Sequence, residues 1–200
     1  MNISPLLDEL YEQIKISSSP LLRLFNEGIS KQQIAKEMLS ISLDLPDEII
    51  QLYEWRNGTN LSRSSIPNET WLFPLGAFCT LESSIDRYRH FVGNDDYWRT
   101  DMHLLFEDSG GEKFLIDCNK DSGTYRMIYK YSIVSVDYDV LITAYDSIET
   151  LLATVISCFK KGIYYYDFTD TIAPFKFIPS GHILMSKQYN VKSDLWKFYE

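Results

Sequence analysis

The clearest hydrophobic pattern in the chain lies between residues 146 and 162. Apolar residues recur there at intervals of three and four, which places them on one face of an α-helix: Ile148, Leu151, Leu152, Val155, Ile156 and Phe159. Asp146 with Glu149 three residues later is typical of a helix start, and Gly162 is typical of a helix end. The pattern predicts a helix that begins at Asp146 and packs against a sheet.

Shorter periodic patterns in the first half of the chain predict further helices. One starts at Ser4, where a proline follows, and another at Ser30, where a glutamine three residues later fits a capping box. A third starts at Pro46 and ends at Asn57-Gly58, because glycine adopts the left-handed conformation of a helix terminator at no steric cost. A fourth is predicted for the segment LESSIDRYRHF.

The middle of the chain is typical of antiparallel strands. The segments MHLLFE and EKFLID flank a turn that contains Gly110 and Gly111, which predicts a β-hairpin. The segment TYRMIYK alternates from Tyr125 onward and predicts a third strand. The segment YSIVSVDYDVL then supplies either a fourth strand or a loop that covers the sheet. Together these elements predict an α+β fold, a single domain with a mostly antiparallel central sheet and helices packed on it.

The charge balance narrows the choice of partners. Asp and Glu total 28 against 19 Lys and Arg, which gives a formal net charge of −9. A surface of this sign repels phosphate, so nucleic acid and anionic membranes are not expected as partners. A basic protein or peptide fits better, although solubility alone also explains the charge.

Cysteine usage and the N-terminal sequence favour a cytoplasmic location. The chain has three cysteines, Cys79, Cys118 and Cys158, which are far apart and predict free thiols in a reducing compartment. Asp8 and Glu9 interrupt the apolar core that a signal peptide would need. No apolar run approaches the ~20 residues of a membrane span. The oligomeric state is left open by the sequence.

Carboxylates near the predicted hairpin are the only candidates for catalysis. Glu107 and Glu112 flank the turn, with Asp108 and Asp117 close in sequence, and paired acids can hydrolyse glycosides. Strand ends and turns favour polar residues in any case, so a structural role is preferred. No metal or cofactor is expected, because the sequence lacks a phosphate loop and no ligand spacing relates the histidines His90, His103 and His182.

A series of short motifs gives a family resemblance. The motifs are a helix that starts at Ser30, the dipeptides LP at 45–46 and NG at 57–58, the segment FPLGAFCTLESSIDRY, an acidic Gly-Gly hairpin followed by FLID, and a late amphipathic helix. Their order resembles the SUKH superfamily, which includes a fungal regulator of cell-wall synthesis and many bacterial immunity proteins. The resemblance implies that residues 30–165 form a SUKH-like core, with a helical N-terminal extension at 1–29 and a C-terminal arm at 166–200 packed on the core.

The resemblance implies protein binding without catalysis. Bacterial members often neutralise a toxin, commonly a nuclease, so the expected partner is a basic toxin domain bound directly. The recurring turn positions of the family, Asn57, Gly58, Gly110 and Gly111, are implied to be structural. The alternative is a regulatory scaffold of the fungal type, for which the arm from Tyr166 onward would be the docking element.

One acidic, aromatic loop is the predicted contact surface for the partner. Its candidate residues are Asp95, Asp96, Tyr97, Trp98 and Asp101, with Glu107 and Asp108 of the hairpin adjoining. Acidic side chains would meet the basic groove of a nuclease, and aromatic side chains would anchor the contact. For Trp98 an equal alternative is a core residue that closes the loop, because tryptophan is largely buried on average.

Overall fold

The computed structural model describes residues 2–108, 110–132 and 140–199. In this part of the chain seven α-helices are found: α1 (Ser4–Ile16), α2 (Leu21–Leu24), α3 (Lys31–Met38), α4 (Asp47–Trp55), α5 (Leu81–Phe91), α6 (Ile148–Lys160) and α7 (Pro179–Tyr189). The strands are β1 (Trp71–Phe73), β2 (Gly76–Phe78), β3 (Met102–Glu107), β4 (Lys113–Asp117), β5 (Ile128–Tyr131), β6 (Leu141–Tyr145), β7 (Tyr164–Tyr166) and β8 (Phe175–Phe177).

Strands β1 to β6 form one antiparallel sheet in chain order, so the predicted α+β fold is confirmed. Strands β7 and β8 form a separate hairpin. The third predicted strand begins later than expected, at Ile128, because turns occupy the preceding residues and Arg126 has a φ of 73°. Of the segment predicted as a fourth strand or covering loop, residues 133–139 lie outside the described residues; β6 follows them.

The two faces of the sheet are covered differently. One face carries the larger core, which includes Leu10 of α1, Leu52 of α4 and Leu152 of α6. The other face carries a smaller cluster around Trp98, with Leu104 and Leu115 of the central strands. The N-terminal helix α1 packs along α6, so the predicted N-terminal extension contributes to the main core.

The start of α6 differs from the prediction by one residue. Ser147, not Asp146, caps the helix: its hydroxyl accepts the N–H of Thr150, and the Thr150 hydroxyl accepts the N–H of Ser147. This reciprocal pair satisfies two amides that the helix leaves free, which is the physical reason that Ser147 outcompetes its acidic neighbour. The Asp146 carboxylate instead accepts the N–H of Lys192.

The Asn57-Gly58 turn does not end α4 in the way predicted. The helix ends at Trp55, and the next residue is already extended. Asn57 is buried and reaches the next helix: its Oδ1 accepts the N–H of Leu81 at 2.9 Å, and its Nδ2 lies 3.2 Å from a carboxylate oxygen of Glu82. Asn57 therefore supplies a hydrogen-bond acceptor to the first turn of α5, because the leading N–H groups of a helix have no partner within the helix.

Gly58 is needed for conformation and for space. Its φ is 72°, and a Cβ added there would lie 2.4 Å from the backbone nitrogen of Thr80. Around it the Gly58 carbonyl accepts the N–H of Asn26 at 3.0 Å, and the N–H of Thr59 donates to the Phe78 carbonyl at 2.7 Å. The turn joins the segment after α2, the end of β2 and the start of α5.

The C-terminal arm covers the outer edge of strand β6. The Ser193 hydroxyl donates to the carbonyl of Thr143 at 2.7 Å, and the Trp196 indole N–H donates to the carbonyl of Ala144. Asn190 accepts the N–H of Asp146 at 3.1 Å. Covering an edge strand in this way limits its pairing with another chain.

We predict that Gly58→Ala destabilises the fold by about 1–3 kcal/mol more than Gly93→Ala, because only the first adds a clash to the left-handed strain. Gly93 is a matched control: its φ is 80° and a Cβ there meets nothing within 4 Å. Urea denaturation of both variants measures the difference. Equal loss of stability would show that close packing at Gly58 is unimportant.

We also predict that Trp196→Ala lowers the free energy of unfolding by about 3–5 kcal/mol, since it removes a buried indole and uncovers β6. Phe198→Ala, which removes an exposed ring from the same short segment, should cost less than about 1 kcal/mol. Thermal denaturation compares them. Similar small effects would mean that the arm is not part of the stable fold.

Candidate protein-binding surface

Asp95 anchors the predicted contact loop. One carboxylate oxygen accepts the N–H groups of Tyr97 and Trp98 at 2.9 and 3.0 Å, and the other accepts the Tyr131 hydroxyl at 2.6 Å. Burial raises the pKa of Asp95, but these three hydrogen bonds outweigh it and the net pKa is lowered. The charge of Asp95 is thus used to hold the loop on the sheet.

Trp98 lies in the core, as one of the two alternatives predicted. It is 3% exposed and stacks on Phe91, with ring centroids 4.7 Å apart and planes at 4°. The Tyr131 ring also lies near the indole, with centroids 6.1 Å apart. The indole packs in the core beneath the loop, so it is not available to contact a partner.

Asp96 and Tyr97 are the two candidate residues that the loop exposes. Tyr97 is 50% exposed, and Asp96 is exposed beside it. Within the described part of the chain, no hydrogen bond or ion pair engages the Asp96 carboxylate. The loop therefore presents one free charge and one aromatic ring on a base that Asp95 and Trp98 fix.

Asp101 belongs to a polar network that sequence reasoning missed. The guanidinium of Arg99 lies 2.9 Å from a carboxylate oxygen of Asp101 and 2.9 Å from one of Asp117. Burial raises the pKa of Asp117, but hydrogen bonds from Thr124, Asn119, Ser122 and Arg99 together lower it. Only the arrangement in space shows that Arg99 neutralises two acids.

Glu107 and Asp108 also have local partners. Glu107 forms a two-point ion pair with Arg87 of α5, with both N–O distances 3.3 Å. One Asp108 oxygen accepts the N–H groups of Gly110 and Glu112, each at 2.9 Å, which fixes the hairpin turn. Gly111 in this turn has a φ of 99°.

The loop and the hairpin share one face of the sheet. Lys113 is paired across the strands with Glu107, and its ammonium lies 5.4 Å from the ring centroid of Phe91 and 5.6 Å from that of Tyr131. The Tyr131 hydroxyl in turn donates to Asp95. Lys113 thus connects the two parts of the predicted surface.

The acids considered for catalysis do not form a facing pair. Glu107 contacts Arg87, whereas Glu112 contacts Lys130 at 3.0 Å and accepts the Ser132 hydroxyl at 2.7 Å. Because Glu107 is paired with Lys113 and Glu112 directly precedes Lys113, strand alternation points the two carboxylates to opposite faces.

The histidines and cysteines are dispersed. His103 is fully buried against the Tyr53 hydroxyl, and burial lowers its pKa to about 3. His182 lies 2.7 Å from the Tyr164 hydroxyl, and burial lowers its pKa to about 4. Among the described residues, no three His, Cys, Asp or Glu side chains converge as metal ligands, and the three cysteines are buried free thiols.

Comparison with known proteins gives a match to one family model but none to an individual curated protein. No curated protein matches the chain. In the described part of the chain, no helix has the length and apolar character needed to cross a bilayer. The family model described as SMI1 / KNR4 family (SUKH-1) matches residues 28–154, more than half of the 200 residues, and this confirms the resemblance. The chain belongs to the SMI1/KNR4 family (SUKH-1).

Proposed function

We propose that the chain is a protein-binding module without catalysis, and that it acts as an immunity protein that neutralises a nuclease-like toxin by direct binding. The observation that carries the proposal is the fixed loop that presents Asp96 and Tyr97 to solvent. The family match is compatible with this role, because the superfamily that the sequence resembles includes many bacterial immunity proteins as well as a regulator. Cytoplasmic action is part of the proposal, since all three thiols are free and buried.

A loop that is already ordered in the free protein favours binding to a toxin. Ordering a loop on binding reduces affinity, and Asp95 and Trp98 already order this one in the free protein. Tyrosine supplies a large contact area at low entropy cost, and a neighbouring carboxylate adds charge-assisted hydrogen bonds. Tyr97 and Asp96 together fit a basic patch on a partner.

The charge distribution favours fast encounter. The formal net charge is −9, yet Asp95, Asp101 and Glu107 are each engaged inside the structure. Asp96 therefore presents a carboxylate that is free to contact a partner. The net negative charge of the whole protein supplies the long-range electrostatic field. Complementary fields of this kind raise association rates with a basic nuclease surface.

A regulatory scaffold is the second candidate. The observation in its favour is that Phe168 and Ile172 are exposed near the β7–β8 hairpin, outside the residues that the family model matches. An endogenous partner docked on the arm would cover them. This candidate predicts binding through the arm, whereas the first predicts binding through the loop.

We predict that Asp96→Lys slows association with the toxin by roughly fivefold at low salt and by less at high salt, because exposed charges are screened. The candidate toxins are the products of genes adjacent to this one. Asp8→Lys, on an exposed position of α1, makes the same change in net charge and is the control. Stopped-flow or biosensor kinetics at two salt concentrations give the rates.

An equal effect of the two charge reversals would remove the loop from the interface. Absence of any complex with the neighbouring gene products would contradict the immunity role. In the same assay, the double variant Phe168→Ser with Ile172→Ser should bind the toxin as the parent does. Loss of toxin binding in this variant, with the fold retained, would place the toxin contact on the arm and contradict the loop as the contact surface.

A further inference from the structure

A groove runs beside β2 and borders the predicted contact surface at Glu107 and Asp108. It consists of two adjoining clefts of about 270 and 290 Å³, and both are lined by Leu61, Ala77 and Glu107. The stretch from Thr59 to Trp71 forms one wall, and α5 forms the other. The shared lining joins the two clefts into one groove.

The floor of the groove is deep because one side chain is small. Ala77 is paired with Trp71 on one side and with Glu107 on the other, so a methyl group lies between two long side chains. Paired residues of antiparallel strands point to the same face. Trp71 and Glu107 therefore rise on either side of the floor.

The groove is nearly neutral and rich in hydrogen-bonding groups. Arg87 and Glu107 cancel each other as an ion pair, which leaves Asp108 at one end. Leu61, which is 56% exposed, and Trp71 supply an apolar wall. Hydroxyl and amide side chains complete the lining: Asn26, Asn60, Ser64, Ser65, Thr70 and Ser83.

One buried polar group in the groove lacks a partner. Thr59 lines the second cleft and is 3% exposed, and its hydroxyl has no hydrogen-bond partner in the described part of the chain. A buried hydroxyl without a partner costs about 1–3 kcal/mol. A ligand that supplies the missing hydrogen bond would recover this energy.

We propose that the groove binds an extended peptide segment of a partner protein, with an apolar side chain packed on Leu61 and Trp71 and a basic side chain directed to Asp108. The inference rests on the proposed protein-binding function and adds a second contact site to it. An extended backbone offers alternating donors and acceptors, and the hydroxyl and amide side chains of the lining can bond to them, although Asn26, Asn60 and Ser64 also hydrogen-bond within the chain. The residual negative charge selects a basic side chain.

Peptide display tests the groove without knowledge of the natural partner. Random twelve-residue peptides on phage are panned on the full chain, and the enriched peptides are synthesised for calorimetry. We expect enrichment of an apolar residue close to Lys or Arg. Leu61→Asp should weaken binding at least tenfold, whereas Leu184→Asp should leave it unchanged. Leu184, on α7, is a matched control because it is 61% exposed.

Thr59→Val provides a second variant that keeps the side-chain shape. It removes the unpartnered hydroxyl, so we expect unchanged or higher thermal stability of the free chain together with several-fold weaker peptide binding. A purely structural role of Thr59 would not produce this combination. Binding that is unchanged in both Thr59→Val and Leu61→Asp would overturn the proposal, as would the absence of any enriched peptide.

The outcome is separable from that of the proposed function. A toxin complex that forms equally well with Leu61→Asp, in a chain that enriches no Leu61-dependent peptide, would retain the immunity role and overturn the groove. Enriched peptides that depend on Leu61, in a protein that binds no neighbouring gene product, would support the groove and contradict the immunity role.

Discussion

The hydrogen bonds from the Asn57 side chain to the start of α5 are the constraint on which the other features depend. They connect the turn after α4 to a helix that lies against β3. Gly58 permits this approach because a side chain at that position would collide with the backbone of Thr80. A buried amide with both its ends engaged fixes position in a way that apolar packing alone does not.

Helix α5 contacts both proposed binding regions, so the hydrogen bonds that fix its start affect both. Its residue Arg87 pairs with Glu107 in the wall of the groove. Its last residue, Phe91, stacks on Trp98 and supports the loop that exposes Asp96 and Tyr97. The placement of one helix thus determines the shape of the groove and the presentation of the loop. The proposed function depends on this placement more than on any single exposed residue.

Local sequence signals predicted the fold well and the contacts poorly. The periodicity of α6 and the Gly-Gly hairpin could be predicted because they depend on neighbouring residues. The helix cap was assigned one residue early, because Ser147 and Thr150 satisfy two amides reciprocally. The partners of Asp95, Asp101 and Glu107 could not be predicted, because Tyr131, Arg99 and Arg87 approach them only in the folded sheet.

Amide hydrogen exchange in the Asn57→Ala variant tests the central claim most directly. The N–H of Leu81 donates to Asn57, and the N–H of Trp98 donates to Asp95 in the contact loop at the far end of α5. If the Asn57 contact positions the whole helix, protection at Leu81 and at Trp98 should fall together relative to the parent. Loss of protection at Leu81 alone, with Trp98 unchanged, would contradict the account.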